Sequence, residues 1–280
     1  MYCKKITFVV FTFNEEGRVE RAVRNFRPYG KVLIVDNHST DKTVELACRL
    51  GADVLRHKNR GWVEDDVTVA RVKEAVSTPW LYWGFSDEIL DQQTMMAMLE
   101  IIEAGQHSIV NIARKNYYYG EFCHEAYCNT QNRAFLKDAI NFAGNRIHHF
   151  GTPTVDDSAI ATLDPKRHFV HHFISNTAKS YLRSLDAYSD IEAIDSLTPS
   201  PCGTALRVLR GFFGHYVLRG GRRAGRAGFY LGLQMVYYSV LLAMKAYERD
   251  QDLTTTTIER HNNVVRDRLL RSLEQEEPMQ

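Results

Sequence analysis

The feature that most constrains the fold is an alternation of short apolar runs and helical patterns over the first hundred residues. Runs rich in β-branched and aromatic residues predict strands at Ile6–Phe11, Lys31–Val35, Asp53–Arg56 and Trp80–Phe85. Segments with helical spacing of apolar residues predict helices at Glu16–Phe26, Asp41–Leu50, Asp65–Val76 and Asp91–Ala104. Strands that alternate with helices in this way form parallel β-α-β units. The sequence therefore predicts an α/β fold with an open, mostly parallel, Rossmann-like sheet and flanking helices.

The pattern changes after residue 106, where short strand-like pieces are separated by polar turns. These pieces are Ser108–Ala113, Tyr117–Tyr119, Arg133–Leu136 and His168–Ile174. A helix is predicted at Ser180–Ser196, a linker at 199–203 and further helices over Leu206–Tyr247. We therefore expect one domain over residues 1–200, with halves at 1–105 and 106–200, and a C-terminal helical region over 204–280.

Composition and charge narrow the class of protein. The net charge is +1 over 280 residues, which gives no global basic surface for nucleic acid, so we expect no nucleic-acid partner. The five cysteines are odd in number and scattered, as is typical of free thiols in a reducing compartment. The apolar run that begins at Ile6 ends at Phe13, before Asn14-Glu-Glu, and is too short for a secretory signal. These observations predict a cytoplasmic location.

Polar residues follow all four N-terminal predicted strands. They are Thr12–Glu16, Asp36–Asp41, Lys58–Gly61 and Ser86–Glu88. Ligands of open parallel sheets bind outside the carboxyl ends of the strands, so these residues are expected to share one crevice. The first turn lacks Gly-x-Gly-x-x-Gly, and the chain has no Gly-x-x-x-x-Gly-Lys-Ser/Thr loop. A diphosphate site without a glycine loop uses a metal ion with carboxylates, or cationic side chains.

The strand-end segments resemble a known enzyme family. Phe-Thr-Phe-Asn14-Glu-Glu, Val-Asp36-Asn-His-Ser-Thr-Asp-Lys-Thr, Asn59-Arg-Gly and Asp87-Glu are similar to inverting GT-A glycosyltransferases of family 2. The nearest resemblance is to the bacterial branch that builds lipopolysaccharide cores and exopolysaccharides. It covers about the first 90 residues well and continues more loosely to about residue 250. It implies transfer of a sugar, with inversion, from a nucleoside-diphosphate donor, expected to be a UDP-sugar, to a glycan or lipid-linked glycan.

The resemblance also implies roles for residues of the donor site. The nucleotide and diphosphate would be bound by Thr12, Asn14, Glu15, Asp36, Asn59 and Asp87. Asp36 would accept a hydrogen bond from the base, and Lys58 is the alternative to Asn59 near the base or ribose. A third class of protein, the nucleotidyltransferases on a related fold, would need an N-terminal glycine-rich loop, which this sequence lacks.

The metal and base positions depart from the family pattern. Asp87 matches the last acid of the family's Asp-x-Asp, whereas Phe85 occupies the position of the first, so one carboxylate fewer is available for Mn²⁺ or Mg²⁺. His172 is expected to complete the metal shell. The family often carries a Glu base where this sequence has His149, and an imidazole titrates in the range that a base requires. The competing candidates for the base are Asp156 and Asp157.

Two questions remain open at the level of sequence. The stretch Ala227–Met244 has no charged residue and follows six arginines between Arg207 and Arg226. This region either contacts the anionic inner face of a membrane as a peripheral attachment, or packs on the catalytic domain. The substitutions at Phe85 and His149 leave a second function open, a degenerate GT-A fold that binds a nucleotide, a glycan or a protein partner without turnover.

Overall fold

The protein is described here by a computed structural model covering residues 2–59, 64–122, 129–145, 150–174 and 177–275. The strands within these ranges are β1 Ile6–Thr12, β2 Lys31–Asp36, β3 Asp53–Arg56, β4 Trp80–Phe85, β5 Glu88–Leu90, β6 Ile109–Tyr118, β7 Glu121–Phe122, β8 Asn129–Leu136, β9 Ile140–Asn141, β10 Thr152–Pro153, β11 Ile160–Thr162 and β12 Phe169–Phe173. The α-helices are α1 Val19–Phe26, α2 Thr43–Arg49, α3 Asp66–Ala75, α4 Gln92–Ala104, α5 Ala178–Glu192, α6 Pro201–Phe213, α7 Gly225–Asp250 and α8 Thr255–Gln275.

The main sheet has the strand order β3-β2-β1-β4-β8-β6-β12-β5. The four strands β3, β2, β1 and β4 are parallel, and β6 is parallel to β12. Only β8 intervenes between β4 and β6, and it is antiparallel to both. The carboxyl ends of β1, β2, β3, β4, β6 and β12 therefore meet at one edge of the sheet. The predicted α/β fold, with an open and mostly parallel sheet, is confirmed.

Both faces of the sheet are buried, as the continuous apolar runs require. In β1, Phe8 and Val10 face one core layer and Val9 faces the other. Buried residues of α1 and α4 cover the first layer, and residues of α3 and β8 belong to the second. Because the strands are packed on both sides, the residues from which the loops at their carboxyl ends start are fixed in position.

Two local predictions were wrong. The segment at 199–203 was predicted as a linker, but α6 begins there, because the Ser200 hydroxyl accepts a hydrogen bond from the Gly203 amide. Pro201 occupies the first turn, where its missing N–H costs no hydrogen bond. Glu88 was predicted only as a residue that follows β4, but it begins the short strand β5, since a three-residue strand leaves no periodic signal.

The helix α7 packs on the main sheet, where its Leu231 contacts Tyr118 of β6. Gly211 of α6 lies against Val236 of α7, and the Phe212 ring lies against Gly232, so α6 and α7 form an antiparallel pair. In the described part of the chain, one helical stretch, Gly221–Asp250, is long and apolar enough to cross a membrane by length and composition.

Candidate functional site

The loops after β1 and β2 are locked together by hydrogen bonds. The Asp36 carboxylate is fully buried and accepts hydrogen bonds from the Thr12 hydroxyl at 3.3 Å and from the Ser39 amide at 3.0 Å. Asn14 has a left-handed backbone, with φ of 55°, which asparagine tolerates. Its side-chain oxygen accepts from the Thr40 amide at 2.9 Å, and its own amide donates to the Ser39 hydroxyl at 2.8 Å. The two loops therefore form one rigid unit.

Asp36 positions the two loops. Its carboxylate has no exposed surface, and each of its oxygens accepts one hydrogen bond from them. The half-buried Asn37, next in the chain, forms a reciprocal pair with Asn59 of the loop after β3. The Asn59 amide donates to Asn37 Oδ1 at 2.9 Å, and Asn37 Nδ2 donates to the Asn59 carbonyl at 3.0 Å. The Asn59 Oδ1 atom is buried and has no hydrogen-bond partner among the residues that the structure describes. Lys58, the alternative to Asn59, is exposed.

Asp87 lies at the centre of a charged cluster at the end of β4. Its Oδ2 atom is 3.2 Å from His172 Nε2 and 3.8 Å from an Arg18 guanidinium nitrogen. Arg18 also forms a bidentate pair with Glu15, at 2.5 and 2.8 Å. Burial would raise the pKa of Asp87, but the hydrogen bond and charge of His172, with the charge of Arg18, hold it below its usual value. The Asp87 carboxylate is therefore negatively charged and lies between the imidazole of His172 and the guanidinium of Arg18.

The pKa of the Glu15 carboxyl is shifted in the opposite direction, upward. Burial raises the pKa of its carboxyl, and the charge and hydrogen bonds of Arg18 offset this only in part. The Glu15 amide donates to the Thr43 hydroxyl at 2.7 Å, so the residue is fixed at both its backbone and its side chain. Its carboxylate orients Arg18 toward Asp87.

His172 is oriented by a buried amide. Its Nδ1 atom is 2.7 Å from Asn116 Oδ1, and the two residues are partners in the register between β12 and β6. With the Nδ1 proton donated to this oxygen, Nε2 is the ring nitrogen that faces Asp87. It donates to the carboxylate in this structure, and it is the atom whose lone pair would bind a cation in place of that proton. The pair Asp87–His172 is therefore suited to hold a divalent cation from two sides. No group of three or more His, Cys, Asp or Glu side chains with that capacity exists among the described residues.

Glu88, next to Asp87, is not available to a metal. Its carboxylate is fully buried and accepts from Arg133 Nη2 at 2.5 Å and Nη1 at 2.9 Å. It also accepts from the Phe85 amide at 3.2 Å, and Arg114 lies at 3.9 Å. This network fixes the turn that presents Asp87.

Phe85, at the position of the missing acid, belongs to an aromatic wall. Its ring lies 6.0 Å from that of Phe11 and 6.2 Å from that of Phe150, the latter edge-on. The Phe150 ring also lies 4.7 Å from the Arg133 guanidinium. The Phe85 side chain is therefore committed to packing.

A third buried carboxyl, that of Glu64, lies in the segment before α3. Burial raises its pKa to about 7, and the charge of Arg133 opposes this only partly. Burial also raises the pKa of the Tyr188 phenol on α5, and the charges of Asp87 and Glu64 raise it further.

The candidates for the base fall in different places. Asp156 and Asp157 are exposed and precede β11, which pairs with the beginning of β6 at Ile109. His172 pairs with Asn116 at the other end of β6, seven residues and roughly 20 Å away. Asp156 and Asp157 therefore lie at the opposite end of β6 from His172. His149 lies outside the described residues.

Several residues of the cluster were missed by sequence reasoning. Those that contact or electrostatically influence the predicted site are Arg18, Glu64, Asn116, Arg133 and Tyr188. Arg133 could have been suspected as a charged residue inside an apolar strand. The others lie in segments whose pattern carries no such signal.

Comparison with known proteins identifies the family. Residues 7–154, just over half of the chain, match the glycosyl transferase family 2 profile. The chain belongs to glycosyl transferase family 2. Uncharacterized glycosyltransferases of Rickettsia typhi and Rickettsia prowazekii are 43% and 41% identical to this family 2 chain over 61 residues. Each match covers 21% of this chain and 21% of the relative.

Solved structures are similar at low identity. Staphylococcus aureus TarS 1–349 in complex with UDP-GlcNAc has a TM-score of 0.45 and 11% identity, over 90% of this chain and 93% of TarS. The mannosyltransferase PcManGT from Pyrobaculum calidifontis, in complex with GDP-Man and Mn²⁺, has a TM-score of 0.40 and 14% identity, over 95% and 81% of the two chains.

Proposed function

We propose that this family 2 glycosyltransferase transfers a sugar from a UDP-sugar to a hydroxyl of a glycan or lipid-linked glycan, with inversion, in the synthesis of a cell-surface polysaccharide or lipopolysaccharide. The observation that carries the proposal is the cluster of Asp87, His172 and Arg18. It combines a carboxylate, an imidazole and a guanidinium at the sheet edge where the locked loops after β1 and β2 also end. Such a cluster suits a diphosphate leaving group.

The nucleotide half of the site is assigned to the loops after β1, β2 and β3. We assign Asp36 and Asn14 to hold the loops, and Thr12 to hold Asp36. The side-chain amides of Asn37 and Asn59 are the groups offered to the base and ribose. The reciprocal hydrogen bonds between Asn37 and Asn59 support this assignment, since they hold both side chains together at the ends of β2 and β3.

A divalent cation fits the residues present. Asp87 and His172 Nε2 would hold it, and the donor phosphates would supply further ligands, as is usual for Mg²⁺ and Mn²⁺ sites with few carboxylates. When bound, the cation would neutralise charge that develops on the leaving diphosphate. Asn116 would keep the His172 lone pair directed at the site.

Inversion requires the acceptor oxygen to attack the anomeric carbon opposite the departing diphosphate. A base takes the acceptor proton as the new C–O bond forms and the bond to the phosphate oxygen breaks. We assign this base to His149. Arg18, held by Glu15, is placed to stabilise the negative charge of the leaving group.

The acceptor half is assigned to residues 106–200, with the donor half at 1–105. The Tyr117 and Phe173 rings stack at 4.6 Å beside the end of β12, and the Phe173 amide donates to the Asp87 carbonyl at 2.9 Å. Stacked aromatic rings offer a surface for a pyranose ring of the acceptor. We place the enzyme in the cytoplasm, with the helical region at 204–280 against the inner face of the membrane.

The test is ligand binding followed by turnover. The melting temperature of the full chain should rise with UDP and UDP-sugars in the presence of Mn²⁺, and UDP should be released when an acceptor glycan is added. Asp87→Ala should abolish both effects, whereas the matched change Asp157→Ala, on the far edge of the sheet, should preserve them. If neither UDP nor any UDP-sugar raises the melting temperature, the uridine assignment is wrong.

The second candidate function is a binding module without turnover, favoured by one observation. Phe85 is committed to aromatic packing, so the site has lost a carboxylate that the family pattern includes. A wild-type protein that binds UDP but transfers no sugar, with binding unchanged in Asp87→Ala, would support this function over catalysis.

A further inference from the structure

We infer that the hairpin formed by α6 and α7 docks on the surface of an anionic lipid bilayer, with α7 lying along that surface and not across the bilayer. The inference rests on the proposed function for its use, since it would bring the enzyme to a membrane-bound acceptor. Its evidence is separate from the donor site, because it comes from the contacts and charges of the C-terminal helices.

Polar contacts tie α7 to α5 along much of its length. Met235 Sδ accepts from the Tyr181 hydroxyl, and Lys245 binds Asp186 at 2.7 Å and also Asp190. Further along, Arg249 donates to the Ile194 carbonyl at 2.7 Å. The contacts between residues 235 and 249 cover about 20 Å of helix.

Because of these contacts, α7 cannot enter a bilayer without α5. The charged residues of α5 are Lys179, Arg183, Asp186, Asp190 and Glu192. Charged side chains in the hydrocarbon region are costly, so a helix bound to α5 over this length is held outside the membrane interior. By length and composition alone, α7 could cross a membrane. Its packing against α5 instead keeps it at the membrane surface.

The outer face of α7 is apolar and unoccupied by other described residues. Its exposed large side chains are Phe229, Tyr230, Leu233, Tyr237, Met244 and Tyr247. Residues 230, 233, 237 and 244 follow helical spacing and form one stripe, on the side away from the contacts with α5. Exposed tyrosines with apolar neighbours are typical of helices at a membrane interface.

The turn between α6 and α7 combines apolar and cationic side chains. We call residues 213–230 the arginine tip. Its exposed large hydrophobic side chains are Phe213, Leu218, Phe229 and Tyr230, and its exposed arginines are Arg219, Arg222, Arg223 and Arg226. No Asp or Glu occurs between Asp195 and Glu248. The tip therefore has the charge that anionic headgroups attract and side chains that can insert beneath them.

The same chemistry continues along α6. Leu206, Leu209 and Phe213 are exposed at positions three and seven residues apart, on one side of the helix. Arg207 and Arg210 line a groove beside these apolar residues. Their aliphatic stems can lie against the apolar surface while their guanidinium groups reach the lipid headgroups.

A bilayer suits this surface better than a second copy of the chain. In a two-fold symmetric contact, the same patch meets itself, so the arginine tips would face each other. Residues 196–247 contain no Asp or Glu, so no acidic side chain within the patch would offset the repulsion between the two sets of arginines. Anionic lipid supplies the opposite charge over the whole face.

The test is sedimentation of the full chain with vesicles. Phosphatidylcholine vesicles should bind weakly, and vesicles of phosphatidylcholine and phosphatidylglycerol in equal parts should bind strongly and release the protein as salt is raised. Arg222→Glu with Arg223→Glu should weaken binding to the anionic vesicles at least about 30-fold, since each arginine near such a surface contributes about fivefold. The matched double change Lys166→Glu with Arg167→Glu makes the same change in charge on an exposed turn of the catalytic domain, and should have little effect.

The apolar part is tested by Leu218→Ser with Tyr230→Ser, which should weaken binding while the salt dependence remains. Equal binding to both vesicle types, no binding to either, or equal losses in the two charge-reversal pairs would overturn the proposal. A tip variant that changes the oligomeric state by light scattering, with vesicle binding unaltered, would assign the surface to a second copy instead. UDP-dependent thermal stabilisation is measured on the same variants. Its failure in the wild type would refute the donor assignment and leave the membrane result standing.

Discussion

The buried pair between Glu88 and Arg133 offers the sharpest test of how the fold presents Asp87. Both side chains have no exposed surface, and two hydrogen bonds of 2.5 and 2.9 Å join them. Glu88→Gln keeps the shape of the side chain but removes its charge. Arg133 would then remain buried without its counter-charge, with Arg114 nearby. Breaking a buried pair by removing one partner costs about 3–5 kcal/mol, so we expect a loss of this size in the free energy of unfolding.

Urea unfolding measures this loss, with the fluorescence of the buried Trp80 and Trp83 as the probe of β4 and far-UV circular dichroism as the second probe. The matched control is Glu20→Gln, which breaks the exposed pair with Arg49 and should cost less than about 1 kcal/mol. The midpoint should fall in Glu88→Gln with an unchanged slope.

The double variant separates the pair from its neighbours. Glu88→Gln with Arg133→Met should be less destabilised than the sum of the single changes, because the second change removes the charge that the first left unpaired. Glu88→Gln should also weaken UDP binding, since the Phe85 amide that anchors the turn loses its charged acceptor. A stability within 1 kcal/mol of the wild type would refute the argument that this pair holds the turn.

Three further predictions address the site. Asp87→Asn should lower sugar transfer by at least about 100-fold while Asp157→Asn stays near wild-type activity, measured as UDP release; equal losses would contradict the placement of Asp157 at the far edge of the sheet. Asn116→Ala should lower the affinity for Mn²⁺ about 10–100-fold, by titration in the presence of UDP, because His172 loses the partner that orients it; an unchanged affinity would separate Asn116 from metal binding. The carboxyl of Glu64, with its pKa raised to about 7, stays protonated in the folded protein while the unfolded chain has already ionised, so stability falls as pH rises from about 4.5 to 7. Glu64→Gln should therefore match the wild type near pH 4 and exceed its unfolding free energy by roughly 3 kcal/mol at pH 8; a difference that does not depend on pH would contradict the assigned pKa.

The local sequence pattern was sufficient to predict the strands of the N-terminal half. Each predicted strand from β1 to β4 agrees with the observed bounds to within one residue. In β1, β2 and β4 the reason is that a strand buried on both faces is apolar over nearly its whole length, whereas β3 is a short edge strand with exposed ends. Helix starts were less accurate. The predicted helix at Glu16 begins at Val19, since the preceding residues bind the loop after β2. The antiparallel β8 carries a charged residue, Arg133, and was predicted at only half its length.

The sequence by itself determined the α/β alternation, the polar strand ends and the similarity to family 2, because each depends on residues close together in the chain. The tertiary structure alone decided which of those residues meet. Glu88 finds Arg133 across 45 residues through the pairing of separate strands, and Asn116 finds His172 only through the register of β6 with β12. The pairing of β11 with the beginning of β6 places Asp157 at the opposite end of that strand from His172. Side-chain neighbours in a sheet are set by register between distant segments, and a periodic pattern within one segment carries no record of that register.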